Sequence, residues 1–305
     1  MKVTLIYNPA AGSDEQLSAA DVLRLVQASG YEAVLRLAQD DSWKSALEQP
    51  ADIVAVAGGD GTVGKVAKAI VGKGIPVAVL PLGTANNIAK TLGLLDRPLQ
   101  QLISGWAAAR RVKFDVGVAE GPWGSRFFIE GLGIGLFTET MYRLDATSNA
   151  DLAHLDGTDE KITSVLEMLK KRLQSPPIKK LKATLDGRDI SAEYILLEAM
   201  NTSYIGPNLC LAPHANPSDG LLDIVSVARG EEDRLNKCLS DCIAGKLTPP
   251  TLAVRRTKHL QVQWNRFAVH IDDEVWPDSV ETAPRLSSPI DVMIKPHALE
   301  FLAPA

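Results

Sequence analysis

The rhythm of the first third constrains this chain most, because four short apolar runs there alternate with helical patterns. The runs are Val3 to Tyr7, Glu32 to Leu37, Asp52 to Ala57 and Pro76 to Leu80. Between them, Asp14 to Ser29 carries Leu17, Ala20, Leu23 and Val26 near helical spacing, and Thr62 to Val71 carries Val63, Val66, Ala67 and Ile70. Each set gives a helix one apolar face. Strands joined by helical crossovers imply a parallel sheet covered on both sides. In open sheets of that kind ligands bind beyond the carboxyl ends of the strands. Function is therefore sought at Asn8 to Ser13, Gly58 to Thr62 and Leu82 to Asn87.

After about Asp115 the rhythm changes. Strand-like stretches follow at Phe127 to Glu130, Leu181 to Leu185, Tyr194 to Glu198, Asp223 to Val227, Leu260 to Trp264 and Ala268 to Ile271, with helical exceptions at Asp159 to Leu173 and Glu231 to Ala244. Turn signals such as Asp186-Gly187 make this half mostly antiparallel. A length of 305 residues suits two domains. We place a nucleotide-binding α/β domain at 1–115 and a β-rich domain at 116–305, with the last residues free to return to the first. The 46% apolar and 23% charged composition excludes disorder, collagen and coiled coil. With 32 Lys and Arg against 37 Asp and Glu, the molecule as a whole has no charge with which to coat a nucleic acid, and no such partner is expected. Three cysteines do not make a disulfide framework and suit a reducing compartment. No apolar run approaches the ~20 residues of a spanning helix. The N-terminal apolar stretch stops too soon, at Asn8-Pro9, for a signal peptide, so it is read as a first strand of a cytoplasmic protein.

The stretch Gly58-Gly59-Asp60-Gly61-Thr62-Val63-Gly64-Lys65 satisfies three patterns at once. As a dinucleotide fingerprint it sits on the third strand, and the next strand ends Val79-Leu80-Pro81 without a ribose-binding carboxylate. As a P-loop it is followed by Val66, which has no hydroxyl for magnesium. The third pattern takes Asp60 as the informative residue. A carboxylate beside a polyphosphate is repulsive unless a divalent cation or a transferable proton lies between them, so an acid in a glycine loop points to metal-dependent phosphoryl chemistry. A plain tight turn in which Asp60 caps the helix is the alternative.

This loop resembles the hallmark of the diacylglycerol kinase catalytic-domain family of lipid kinases, which is related to sphingosine kinases. Asn8-Pro9-Ala10-Ala11-Gly12-Ser13 resembles the family's nucleotide-contacting Asn-Pro-x-x-Gly, and Pro81-Leu82-Gly83-Thr84-Ala85-Asn86-Asn87 resembles its Pro-x-Gly-Thr-x-Asn loop. Downstream, Asp219-Gly220-Leu221-Leu222-Asp223 resembles its Asp-Gly-Leu-Leu-Asp segment and Asp272-Asp273-Glu274 its Asp-Gly-Glu. The match departs at Gly64-Lys65, where the family often has Asn-Glu, and at Asp273, where it has glycine. The segment Tyr204 to Ala212 also lacks the family's glycine run.

The resemblance implies an α/β domain with a parallel sheet, as in NAD and diacylglycerol kinases, followed by a mostly antiparallel β-sandwich, with an active site between the two. It implies ATP and magnesium as cofactors. ATP would be held by Asn8, Pro9, Ala10, Ala11, Gly12, Gly58, Gly59, Gly61, Thr62, Gly83, Thr84 and Asn86. Asp60 would position magnesium, Glu274 or Asp272 would take the acceptor's proton, and Asp115 resembles an acid of the catalytic network or joins the domains by a hydrogen bond. Asp219 with the carbonyls of Asn216 and Leu221 resembles a structural magnesium site. A lipid acceptor would require transient peripheral contact with the inner membrane face, toward which Lys170, Lys171, Arg172, Lys179, Lys180 and Lys182 could be drawn, although a solvated face explains them too. A homodimer is left open.

Other signals are poorer. Cys238 and Cys242 lack a second ligand pair for zinc, the histidines show no metal-protease spacing, and the calcium-loop flavour of Asp145 to Asp156 fails at Ala150, where glycine would make the turn. Two rivals to a lipid kinase are a kinase of NAD or another small molecule, disfavoured because Thr202 follows Asn201 where an Asn-Glu pair is expected, and a nucleotide-binding module without catalysis.

Overall fold

The computed structural model describes residues 1–11, 17–40, 42–146, 158–246, 250–277 and 288–304. The chain forms two compact units, one made of Met1–Asp115 with Pro296–Ala305 and the other of Val116–Lys295. The N-terminal unit is α/β with a parallel sheet, and the second is an antiparallel β-sandwich.

In the first unit, β1 (Lys2–Tyr7), β2 (Glu32–Leu37), β3 (Ile53–Gly58) and β4 (Val77–Pro81) lie in the order β2-β1-β3-β4, all parallel. Each residue of β3 is buried, as expected of a central strand covered on both faces. Helix α1 (Ala19–Ala28) starts later than the apolar spacing predicts, because Ser18 and Asp21 form a capping box that fixes its first turn. The short helix α2 (Ser42–Ala46) precedes β3. Helix α3 (Asp60–Ala69) turns Val63, Val66 and Ala67 onto the sheet. Two short helices follow, α4 (Asn87–Thr91) and α5 (Leu99–Ser104). The sheet order makes β1, β3 and β4 neighbours, so the three loops singled out in the sequence leave adjacent strand ends.

The sandwich has one sheet of β15 (Ala253–Thr257), β14 (Leu222–Ala228), β11 (Ala192–Met200), β7 (Gly131–Gly135), β17 (Val269–Ile271) and β18 (Glu274–Trp276), in that order, with β8 (Lys179–Leu181) also on β11. The other contains β10 (Arg188–Asp189), β9 (Ala183–Leu185), β16 (His259–Gln263) and the first residues of β19 (Pro289–Ala303). The run Leu181 to Leu185, expected as one strand, breaks at Lys182 so that its halves serve different sheets. Leu132, Ile134, Leu197, Ile224, Leu260, Val262 and Val292 fill the core between the sheets. On the opposite face of β11, Ile195, Leu196 and Met200 pack with Val225 and Val227 under helices α6 (Leu136–Ala146), α7 (Thr158–Leu173) and α8 (Glu232–Ile243). Two successive residues, Ile195 and Leu196, can share a face because the register slips between Tyr194 and Leu196. Residues 147–157 of the calcium-loop stretch lie outside the described residues, and Asp145 belongs to α6.

β5 (Arg110–Gly121) turns back as β6 (Gly124–Phe128), which sets Gly117 directly opposite Phe128. A Cβ on Gly117 would fall 2.0 Å from the Phe128 ring, and that ring is fully buried. Gly117→Ala should therefore cost ~1–3 kcal/mol through overpacking, read as a lower urea midpoint. An unchanged midpoint would contradict this packing.

Candidate active site

Side chains from the predicted motifs tie the three loops of the first unit together. Asn8 Nδ2 donates to Thr62 Oγ1 at 2.8 Å, linking the loop after β1 to the glycine loop. Asn8 Oδ1 also accepts the N–H of Ala10 at 3.0 Å, which closes the Asn-Pro turn and leaves Pro9 and Ala10 exposed. Ala11 N–H reaches the Asn8 carbonyl at 3.2 Å. Gly12 lies outside the described residues. Thr62 accepts from Asn8, so its own hydroxyl proton can be given to a ligand.

Asp60 ties the glycine loop to the loop after β4. Its two carboxylate oxygens accept the N–H groups of Asn87 and Ile88, each at 2.9 Å. It thus caps α4, the helix across from its own. Burial pushes the Asp60 pKa up, while the two N–H groups and the charge of Lys90 pull it down; the net direction is upward. Asn86 adopts φ 53° and clasps Gly83, accepting its N–H at 2.9 Å and donating to its carbonyl at 2.7 Å. Thr84 is exposed at the tip.

The glycines of these loops let the loops approach one another. A Cβ on Gly83 would lie 2.2 Å from Gly59 Cα, and one on Gly58 would lie 3.0 Å from Thr62 Cβ. Gly58, Gly59 and Gly83 are needed first for loops to meet each other. Beside them lies a cavity of about 190 Å³ lined by Asn8, Gln39, Trp43, Thr62 and Lys65. Gln39, Trp43 and Lys65 were missed in the sequence: the first two sit after β2 and in a helix too short to show a period, and Lys65 registered only in the P-loop pattern set aside and as a departure from the family motif. A larger cavity of about 270 Å³ in the same unit, lined by Val79, Leu94, Leu102, Trp106 and Leu302, shares none of these residues. Asp115 is fully buried, and its Oδ1 accepts the N–H of His297 at 2.7 Å, fastening β5 to the returning end of the chain.

In the second unit the acidic triplet makes the turn between β17 and β18. Asp272 takes φ 51°, so the left-handed position falls on the first acid of the triplet rather than on Asp273. Its Oδ1 accepts the N–H groups of Ile129, Glu130 and Gly131 at 3.0, 2.9 and 3.3 Å. Glu274 is presented differently: its side chain is 53% exposed, with Arg126 Nη1 at 3.5 Å. The two candidate bases are thus an acid held by main-chain donors and an acid open to solvent. Asn201 is buried and donates to the Ile129 carbonyl at 2.9 Å.

A model of the diacylglycerol kinase catalytic domain matches residues 2–119, and one of the YegS C-terminal NAD kinase beta sandwich-like domain matches residues 144–303. The chain belongs to the diacylglycerol kinase catalytic-domain family. A relative named diacylglycerol kinase from Mycobacterium tuberculosis is 24% identical, over 99% of this chain and 95% of its own. Among solved structures, a diacylglycerol kinase from Bacillus anthracis strain Sterne superposes with a TM-score of 0.68 at 19% identity, covering 99% of this chain and 96% of that one. Yeast NADH kinase complexed with NADH gives 0.52 at 11%, covering 99% and 84%, which shows a shared fold.

The structural magnesium implied by the resemblance to the diacylglycerol kinase family can be tested against the donors at Asn216, Asp219 and Leu221. Asp219 Oδ2 is paired with Arg256, and its Oδ1 accepts the Leu221 N–H at 3.0 Å. The Asn216 carbonyl accepts the Asp219 N–H at 3.3 Å. Arg256 Nε also stands 4.0 Å from buried Asp223. A guanidinium already supplies the positive charge at the Asp219 carboxylate. The donor set does not fit the ion, and no chemistry is derived from one there. Accordingly, magnesium should leave the melting temperature of the nucleotide-free protein unchanged, whereas Arg256→Met should gain a magnesium-dependent rise. A rise in the unaltered protein that Asp219→Asn removes would overturn this assignment.

Proposed function

We propose that this protein is an ATP- and magnesium-dependent kinase that transfers the γ-phosphoryl group to a hydroxyl of a lipid, diacylglycerol or a related one. The observation that carries the reading is the pinning of three glycine-containing loops at adjacent strand ends by Asn8, Thr62 and Asp60. Phosphoryl transfer asks mainly for positioning and for charge stabilisation. In this reading the main chain of residues 8–12 and 58–62, with the Thr62 and Thr84 hydroxyls, holds the phosphates, and the cavity beside Trp43 and Lys65 takes another part of the nucleotide. Magnesium bound with ATP would offset the charge of the transferred group. A carboxylate has about four acceptor sites, so Asp60, with two given to N–H groups, keeps capacity for that ion.

Glu274 is the base. Its exposed carboxylate takes the proton of the acceptor hydroxyl as that oxygen bonds to the γ-phosphorus and the bond to the ADP oxygen breaks. Asp272 holds the turn that carries it. Among the described residues no helix is long and apolar enough to cross a membrane. A lipid acceptor would then be met by transient contact at the inner face of the membrane, with exposed Lys171, Lys180 and Lys182 facing anionic headgroups.

Incubation with labelled ATP, magnesium and extracted lipids should give a labelled lipid. Labelled NADP, or ATP binding without transfer, would defeat the proposal. Asp60→Asn leaves a single acceptor oxygen for two N–H groups and should lower transfer at least about 100-fold while also weakening the loop contact. Glu274→Gln should lower kcat by ~10²–10⁴ with the melting temperature unchanged. Asp272→Asn should lower both. Equal kcat losses without any melting shift in Asp272→Asn would remove the distinction between the two acids.

A further inference from the structure

Three residues in register across three strands of the second unit form a buried arrangement that the phosphoryl-transfer scheme does not use. Glu198 of β11 and His270 of β17 both pair with Gly133 of β7, which lies between them. Their side chains meet across it, His270 Nε2 to Glu198 Oε2 at 2.8 Å, at 1% and 0% exposure. Only glycine permits this, since a Cβ on residue 133 would fall 1.9 Å from Glu198 Oε2. On its other side, His270 Nδ1 lies 3.2 Å from the backbone carbonyl of Asp272. A carbonyl can only accept, so Nδ1 carries a proton there. The remaining proton lies between Nε2 and the carboxylate, and its position there leaves the pair as a whole neutral.

We infer that Glu198 and His270 are positioning residues that fix the Asp272 turn, and through it the presentation of Glu274. The inference rests on the proposed role of Glu274. Glu198 orients the imidazole, the imidazole holds the Asp272 carbonyl, and the Asp272 carboxylate holds the amides of Ile129, Glu130 and Gly131. A buried ionisable pair is seldom more stabilising than apolar residues of the same volume. What this pair supplies is direction: both nitrogens of one ring are committed, which sets the height of the turn above β7. Burial works to lower the His270 pKa and the Glu198 carboxylate to raise it, with a net upward direction, consistent with a ring that keeps its Nδ1 proton.

The test compares the whole protein with its Glu198→Gln, Glu198→Leu and His270→Gln variants. Glutamine at 198 can donate to Nε2 and so leave the proton on Nδ1, whereas leucine cannot, and glutamine at 270 reaches Glu198 but loses the Asp272 carbonyl. Amide exchange at Ile129, Glu130 and Gly131 should be at least about tenfold faster in Glu198→Leu and His270→Gln, and near the unaltered rate in Glu198→Gln. With dioctanoylglycerol in mixed micelles as acceptor, the same two variants should lose at least about tenfold in kcat with the KM for ATP unchanged. Unaltered exchange and kcat in a folded His270→Gln variant would overturn the inference. If that variant does not fold, equal behaviour of the two Glu198 variants would overturn it. Failure of the unaltered protein to phosphorylate the acceptor would count against the proposed function, and amide exchange would still decide on the pair.

Discussion

The carboxylate of Asp60 is the contact on which the first unit's loops depend. It stands at the first turn of one helix and accepts the leading N–H groups of another, so two chain segments 27 residues apart are fixed by one side chain. This also changes the electrostatic argument made from sequence. An acid next to a polyphosphate needs compensation, and part of it is present before any cation arrives, in two main-chain dipoles and the charge of Lys90. The close approach of Gly59 and Gly83 follows from the same contact, because the loops can be held this near only where neither carries a Cβ.

The parallel sheet was legible because β1, β3 and β4 are buried on both faces and are therefore apolar almost without alternation, while the edge strand β2 is only partly buried. The loops were legible because glycine, asparagine and threonine gather at the ends of neighbouring strands. What the sequence hid were features made by tertiary pairing. Leu181 to Leu185 reads as one run, and only the two partner strands, β11 and β16, show that Lys182 divides it. Ile195 and Leu196 break the period of two because a bulge resets it. Trp43 and Gln39 join the cavity from a five-residue helix and the turn before it, lengths at which no periodicity can register.

Glu198 illustrates a different kind of concealment. In the run Tyr194 to Glu198 it looks like the polar end of a strand, yet the strand continues to Met200 and Glu198 is fully buried within it. The signals that could have exposed it are the alternate glycines of β7, Gly131, Gly133 and Gly135, which weaken a strand unless something occupies their space. At Gly133 that occupant is the Glu198 carboxylate.

The acids singled out from sequence divide by what their oxygens accept. Asp60, Asp115 and Asp272 each take main-chain N–H groups, from Asn87 and Ile88, from His297, and from residues 129–131. A carboxylate used in this way fixes backbone at points far apart in sequence and has less capacity left to take a proton from a substrate. Among the described residues, Glu274, more than half exposed and beside Arg126, has no such main-chain duty. Motif reading groups these acids by their likeness to one family pattern, although Asp60, Asp272 and Glu274 stand at strand ends while Asp115 lies within β5. Their hydrogen bonds separate them, so the acids that hold the backbone in place are not the ones to expect at the reacting hydroxyl.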